Sequence, residues 1–207
     1  MARNHALPLT LLVLTAAALA LSAISPNDRL TWWLEVIPVL IGAPLLICTA
    51  RSFPLTNLLY VLITCHALIL ILGAHYTYAQ VPLGDWARDT FGLMRNPYDR
   101  LGHLAQGFVP AIIAREILLR KSVVNGRGWL FFVVLSICLA FSAAFELFEW
   151  LMAVIGGGSA ASYLATQGDE WDTQWDMFCA LIGATVAQLT LSSVHDRALA
   201  RLFRPSA

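Results

Sequence analysis

Residues 128–154 read GWLFFVVLSICLAFSAAFELFEWLMAV. As a helix rising 1.5 Å per residue, that stretch is about 40 Å long, more than the roughly 30 Å hydrocarbon core of a bilayer. Its only charged residues, Glu146 and Glu149, come late in the run. The rest of the chain points the same way. Of 207 residues 58% are hydrophobic and 13% charged, with a mean hydropathy of +0.69. A soluble domain carries roughly a quarter charged residues, so this chain has about half the supply needed to cover a wetted surface. Lipid must cover the remainder, and the fold class is all-α: a polytopic membrane helical bundle.

Apolar runs long enough to cross fall at about 7–24, 32–50, 54–78, 98–119, 128–154 and 175–194, giving about six transmembrane helices. The first exceeds the apolar core of a signal peptide, about 7–15 residues. No small-x-small cleavage pattern follows it before Pro26, so it reads as a retained span. There is no internal repeat, low-complexity tract or long linker, so 1–207 reads as a single domain. A formal net charge of zero offers no basic field to nucleic acid. The partners implied are membrane lipids, and no protein partner is indicated. Cys48, Cys65, Cys138 and Cys179 sit within apolar runs without CxxC spacing and read as small buried hydrophobes.

Basic residues set the orientation. With the N-terminus inside, Arg3, Arg51, Arg115, Arg120, Lys121, Arg127, Arg197, Arg201 and Arg204 fall on the cytoplasmic side. Arg29, Arg88, Arg95 and Arg100 fall outside. This bias puts both termini in the cytoplasm of a bacterial inner membrane. Aromatics such as Trp32, Trp33, Tyr76, Trp86 and Trp175 gather near the outer ends, as interfacial belts do. Two long loops lie outside. Residues 79–97 suit a short amphipathic helix on the membrane surface. Residues 155–174 open with Gly156-Gly157-Gly158, which does not readily continue a helix.

Carboxylates collect where lipid-facing helices should not have them. Only Glu116 and Asp196 clearly belong to the cytoplasmic side. The fourth span begins Tyr98-Asp99-Arg100-Leu101-Gly102-His103, the fifth ends Phe145-Glu146-Leu147-Phe148-Glu149-Trp150, and Gly168-Asp169-Glu170-Trp171-Asp172-Thr173-Gln174-Trp175-Asp176 opens the sixth. Asp99 and His103 are four apart, Glu146 and Glu149 three, Asp172 and Asp176 four, so each helix turns two ligand-type side chains to one face. Asp99, Asp169 and Glu170 singly are also explained as interfacial caps and ion pairs: Asp99 can pair with Arg95 or Arg100, and Asp169 or Asp172 can cap the sixth span. Glu146, Glu149, His103 and Asp176 lie too deep for that, and cations to neutralise them are few. Intramembrane ionisable groups face the bundle interior and mark functional sites.

Hard oxygen ligands with one imidazole suit Mg²⁺, Mn²⁺ or Zn²⁺. The expected metal ligands are therefore His103, Glu146, Glu149 and Asp176. Glu146, Glu149 and Asp172 are the candidate catalytic groups. Arg100, Asp99 and Asp169 are candidates for substrate binding, with Arg95 beside them. His75 is near enough to join, His66 reads as a hydrogen-bonded packing residue, and Glu35 as an interfacial group or a supporting partner. No GxSxG, P-loop, GxGxxG or HExxH occurs.

Asn96-Pro97-Tyr98-Asp99-Arg100-Leu101-Gly102-His103, Phe145 through Trp150, and Thr166-Gln167-Gly168-Asp169 through Met177 together resemble the YjdF-type inner-membrane proteins along essentially the whole chain. The resemblance implies location more than activity. A looser likeness is to the VanZ-like membrane proteins, whose order is Asp-Lys-x-x-His, a late Glu, then an Asp opening the last helix. Here Arg100 replaces Lys, a second Glu is present, and no Asn follows the last Asp. That family, associated with resistance to a lipoglycopeptide-type antibiotic, implies envelope biology. Asp169-x-x-Asp172-x-x-x-Asp176 is similar to part of the CDP-alcohol phosphotransferase signature, but lacks its Asp-Gly, its Ala-Arg and its distal Asp pair.

Two function classes stand in competition. One is a metal-dependent hydrolase or transferase acting on a lipid headgroup or lipid-linked phosphate at the outer interface. The other is a transporter or proton/cation carrier using the same carboxylates; a non-catalytic envelope factor is a third reading. The inner halves of the spans look nearly free of polar groups, which favours a one-sided site.

Overall fold

The structure, a computed structural model, describes residues 6–156 and 164–203. The described residues contain no strand and seven α-helices: α1 Ala6–Ser22, α2 Arg29–Thr49, α3 Asn57–Tyr76, α4 Pro82–Phe91, α5 Tyr98–Arg120, α6 Arg127–Gly156 and α7 Asp172–Leu202. A 3₁₀ turn, Tyr78–Gln80, joins α3 to α4.

Local chemistry sets the helix starts. Asp28 caps α2 by accepting the Thr31 amide at 2.7 Å, and that backbone hydrogen bond holds its carboxyl below the usual range. Thr56 caps α3. Pro82 opens α4, and Gly92 closes it in the left-handed conformation at φ +63°. Leu83, Trp86 and Phe91 are exposed on α4, the apolar face expected of an interfacial helix.

Four helices, α2, α3, α6 and α7, are long and apolar enough to cross a membrane. The count of about six is not reached on length and composition: α1 has 17 residues, and α5 carries Asp99, Arg100, Arg115, Glu116 and Arg120. Boundaries follow the sequence expectation to within a few residues, except that α7 continues past 194 to Leu202. Its last turns hold His195 and Asp196 against α5, so tertiary contacts carry the helix beyond its apolar run. The Gly157-Gly158 part of the helix-breaking expectation lies outside the described residues.

α5 is the centre of the bundle, packed on α3, α6 and α7. The α5–α7 seam is the closest. A Cβ on Gly107 would fall on the Ala180 carbonyl, and one on Gly183 on the Leu104 carbonyl. Where lipid is the solvent, helices gain stability by such close approach of small residues. Along α5 the stripe runs Asp99, His103, Gly107, Ala111; along α7 it runs Asp172, Asp176, Ala180, Ala184. The ligand-type residues continue the small-residue stripe toward the start of each helix, so the packing that closes the seam brings them together.

Candidate functional site

At the end of the bundle where α5 and α7 begin and α6 finishes, Asp99, His103 and Asp176 are buried. One donor atom from each lies within 4.8 Å of the others. The His103 Nδ1 lies 3.0 Å from Gln106 Oε1 and donates to it. The other ring nitrogen faces the carboxylates: Nε2 is 3.6 Å from Asp99 and 3.9 Å from Asp176. Glu146 sits on the opposite edge of the ring, with Oε1 3.6 Å from Nδ1 and otherwise unpartnered although buried. An imidazole whose far nitrogen faces a carboxylate is how metal-ligating histidines are oriented.

Of the expected residues, then, Asp99, His103, Asp176 and Glu146 converge. Glu149 lines a cavity with Asp99 and His103. Asp172 and Asp169 converge too, in a different role. Arg95 NH1 donates to Asp172 in a short contact. Arg100 donates to Asp176 at 2.7 Å and to Asp172 and Asp169 at 2.9 Å. Both terminal nitrogens of Arg100 are thus engaged, and Asp169, the most exposed of its three partners, is the one most easily displaced. Arg95 also holds the Ala165 carbonyl and pairs with Asp99 at 3.3 Å. The ion-pair reading of Asp99 is realised, while the residue before α7 is Trp171 and no side chain caps that helix; seven carboxyls (Glu35, Asp99, Glu146, Glu149, Asp169, Asp172, Asp176) still face two guanidiniums and the imidazoles of His103 and His66.

The loop before α7 is tied to the start of α5. Gln167 accepts from the Asn96 amide and donates to the Asn96 carbonyl, with Ala165 and Gln167 at positive φ, an uncommon conformation for residues with a side chain. Asn96 in turn donates to Val81 and Asp85. Gln106 as an organiser was not singled out from sequence, although its place one turn after His103 was the available signal; Arg95 was named as a partner of Asp99, but not as a tie to Asp172 and the Ala165 carbonyl. Glu35 is buried in the site's wall beside Tyr78, supporting its reading as a partner.

Three expectations are corrected. His75 does not join: its Nδ1 bonds the Ser22 carbonyl at 2.9 Å, tying α3 to α1. His66 is not a hydrogen-bonded packing residue, for its buried Nε2 has no partner. Nor is the other end of the bundle free of polar groups. There Glu116, fully buried, accepts from His195 Nε2 at 3.0 Å, Arg120 at 2.8 Å and the Thr56 hydroxyl at 2.9 Å. Arg115 bridges His195 and Asp196. Between the two clusters lie Ile112, Val134, Cys138 and Ala184, packed as an apolar core. Gln188 is buried there and donates to the Phe131 carbonyl.

A family model described as "Predicted membrane protein (DUF2238)" matches residues 7–197. The chain belongs to this family. It is also 51% identical over 196 residues, 92% of this chain and 94% of the relative, to "Inner membrane protein YjdF" of Escherichia coli (strain K12). No solved structure matches. The resemblance drawn from Asn96 through His103, the paired glutamates and the Asp169–Asp176 segment is therefore borne out, and the residues that carry it are those the bundle gathers at one end.

Proposed function

We propose that the chain is a single-domain inner-membrane protein in which α1 and α5 also span, that both termini face the cytoplasm, and that the Asp99–His103–Asp176 cluster holds a divalent cation (Mg²⁺, Mn²⁺ or Zn²⁺) for hydrolysis or transfer at a lipid headgroup phosphate. One observation carries the reading: a buried imidazole nitrogen aimed between two carboxylates, with a third carboxylate behind the ring. Crowded acids bind a cation or raise one another's pKa, and the excess over local cations makes an ion the simpler answer. A bound divalent ion would polarise a phosphoryl oxygen or activate a water.

The protein's groups divide the remaining work. Glu146 and Gln106 fix the His103 ring. Glu149, on the cavity wall, is the base that takes a proton from the attacking water or hydroxyl. Asp172 holds Arg95 and Arg100 in place rather than acting as acid or base. Arg100 binds the substrate phosphate by giving up Asp169, an exchange of one anion for another.

The carrier reading draws support from the buried Glu116–His195 cluster at the opposite end, since a transporter needs polar groups in both halves. The apolar core between the clusters argues against a continuous path, and the hydrolase or transferase reading stands first.

The test is metal linkage. Chelation of the purified protein should lower its melting temperature, and Mn²⁺ or Zn²⁺ should restore it. Asp176→Asn should abolish the response. Glu146→Gln should weaken metal affinity by about 10–100-fold, as losing a ring-orienting partner does. A protein that purifies without metal and melts alike with and without chelator would rule out the cation site in favour of proton binding.

A further inference from the structure

Above the acidic cluster a cavity of about 450 Å³ runs between α2 and α6, floored by α3 and α5. One end is polar, lined by Glu35, Asp99, His103 and Glu149; the other is apolar. α2 packs chiefly on α3, and α6 on α5 and α7, so α2 and α6 form two walls with a gap between them. Ile41 on α2 and Phe141 on α6 line the cavity while remaining 62% and 65% exposed, and they are the lips of that opening. A second cavity of about 310 Å³ lies among α1, α2 and α3. Pro38, Gly42, His66 and Leu70 line both, so the two adjoin at these residues.

We infer that this groove admits one hydrocarbon chain of a membrane lipid, entering between Ile41 and Phe141 and running past Gly42 into the second cavity, with the headgroup at the acidic cluster. The headgroup placement rests on the proposed function; the chain's path does not.

Size and chemistry choose the occupant. Along α2 the lining runs from Leu34 to Ile47, about 20 Å at helical rise. One leaflet's chains fill about 15 Å, half of a roughly 30 Å core, so the groove takes a long chain. Its apolar stretch does not hold water, which needs several polar partners, and left empty its lining forfeits dispersion contacts. A helix of another protein, about 10–12 Å across, is too wide for cavities of this volume. Polar atoms sit where a linker would pass. The His66 Nε2 is buried and unpartnered. Pro38 and Pro110 leave the carbonyls of Leu34 and Gln106 without their helical donors, and all four residues line the cavity.

Gly42 gives the experiment. A Cβ built there meets nothing within 4 Å, so a larger side chain enters the groove without disturbing backbone. The protein is reconstituted in vesicles of phosphatidylethanolamine and phosphatidylglycerol carrying a trace of phosphatidylglycerol with a diazirine on one acyl chain. After illumination, labelled peptides are compared between groove residues (Leu70, Phe141) and the exposed residue Leu189 on α7. Labelling should favour the groove, fall about tenfold there in Gly42→Trp, equivalent to about 1.4 kcal/mol of occupancy, and stay constant at Leu189. Gly42→Ala should label as the parent does, and melting curves of both variants monitor folding; should Gly42→Trp not fold, Gly42→Leu takes its place. Equal labelling of groove and Leu189 in the parent, or unchanged groove labelling in the folded blocking variant, overturns the inference. So does a parent whose Ile41 and Phe141, each changed to cysteine in separate copies, cross-link between copies. Mn²⁺ stabilisation is read on the same samples. If it is absent while Gly42→Trp still removes groove labelling, the cation reading fails and the lipid groove stands.

Discussion

Glu116 has no exposed surface and accepts hydrogen bonds from three side chains and a backbone amide. With Arg115 donating to His195 Nδ1, the ring's hydrogen must sit on Nε2, pointed at Glu116. The carboxylate therefore satisfies a fully buried histidine and a largely buried arginine. Glu116→Ala would leave the buried His195 Nε2 without an acceptor and take the carboxylate from Arg120, which keeps only the Pro54 carbonyl and the Phe53 ring, a loss of about 3–5 kcal/mol. Glu116→Gln keeps the shape and should cost less. Denaturation in detergent checks this, and a loss below about 1 kcal/mol for the alanine variant would mean the network is not holding the end of the bundle together. Sequence could not reveal this cluster, because its two central members are 79 positions apart and each looks like an ordinary charge near a span end. The acidic site was legible because its pairs are local: Asp99 with His103, and Asp172 with Asp176, share helix faces. Which partners would meet across helices was not. Glu146 was expected among the ligands, yet it faces Nδ1 rather than Nε2, a difference of ring orientation that spacing does not encode.

Helices α5 and α7 approach so closely because glycine leaves room at Gly107 and Gly183. Gly42 on α2 is the contrast, with open space around it. Gly107→Ala puts a methyl on the Ala180 backbone, which cannot swing aside as a side chain would, so overpacking of about 1–3 kcal/mol is expected. The spread of the seam should also blunt the Mn²⁺ response, since Asp99 and His103 lie on one side of it and Asp176 on the other. Gly42→Ala should be neutral, or stabilising by about 0.5–1 kcal/mol, as it removes only the conformational freedom of glycine. Equal melting temperatures for the two variants would show that the seam is not the tight element. At this scale the apolar runs of α2, α3 and α6 were readable from composition alone. The end of α7 was not, because its last turns are polar and gain their order from α5.

Charge is divided between the two ends of the whole bundle, and both α1 at its start and α7 at its finish lie at the end that holds Glu116 and His195. At the acidic end Arg88, Arg95 and Arg100 are each bound to carboxylates, and Arg29 donates to the Ala23 carbonyl. Little free positive charge is left there. At the other end Arg115 and Arg120 are enclosed in ion pairs, but Arg51, Lys121, Arg127, Arg197 and Arg201 show no such pairing among the described contacts, and Arg51, Lys121, Arg127 and Arg201 are exposed. The exposed basic residues of this end are those that the sequence bias counts toward the cytoplasm. The expected topology has this basic end in the cytoplasm and the Asp99–His103–Asp176 cluster facing the other side. A C-terminal fusion to a reporter active only in the periplasm should be silent, and one fluorescent only in the cytoplasm should be bright. A cysteine placed in α4, at exposed Trp86, should react with a membrane-impermeant maleimide added to intact spheroplasts, whereas one at exposed Lys121 should react only after lysis. The reverse pattern at both positions would turn the molecule over, and would move the candidate lipid chemistry to the cytoplasmic leaflet.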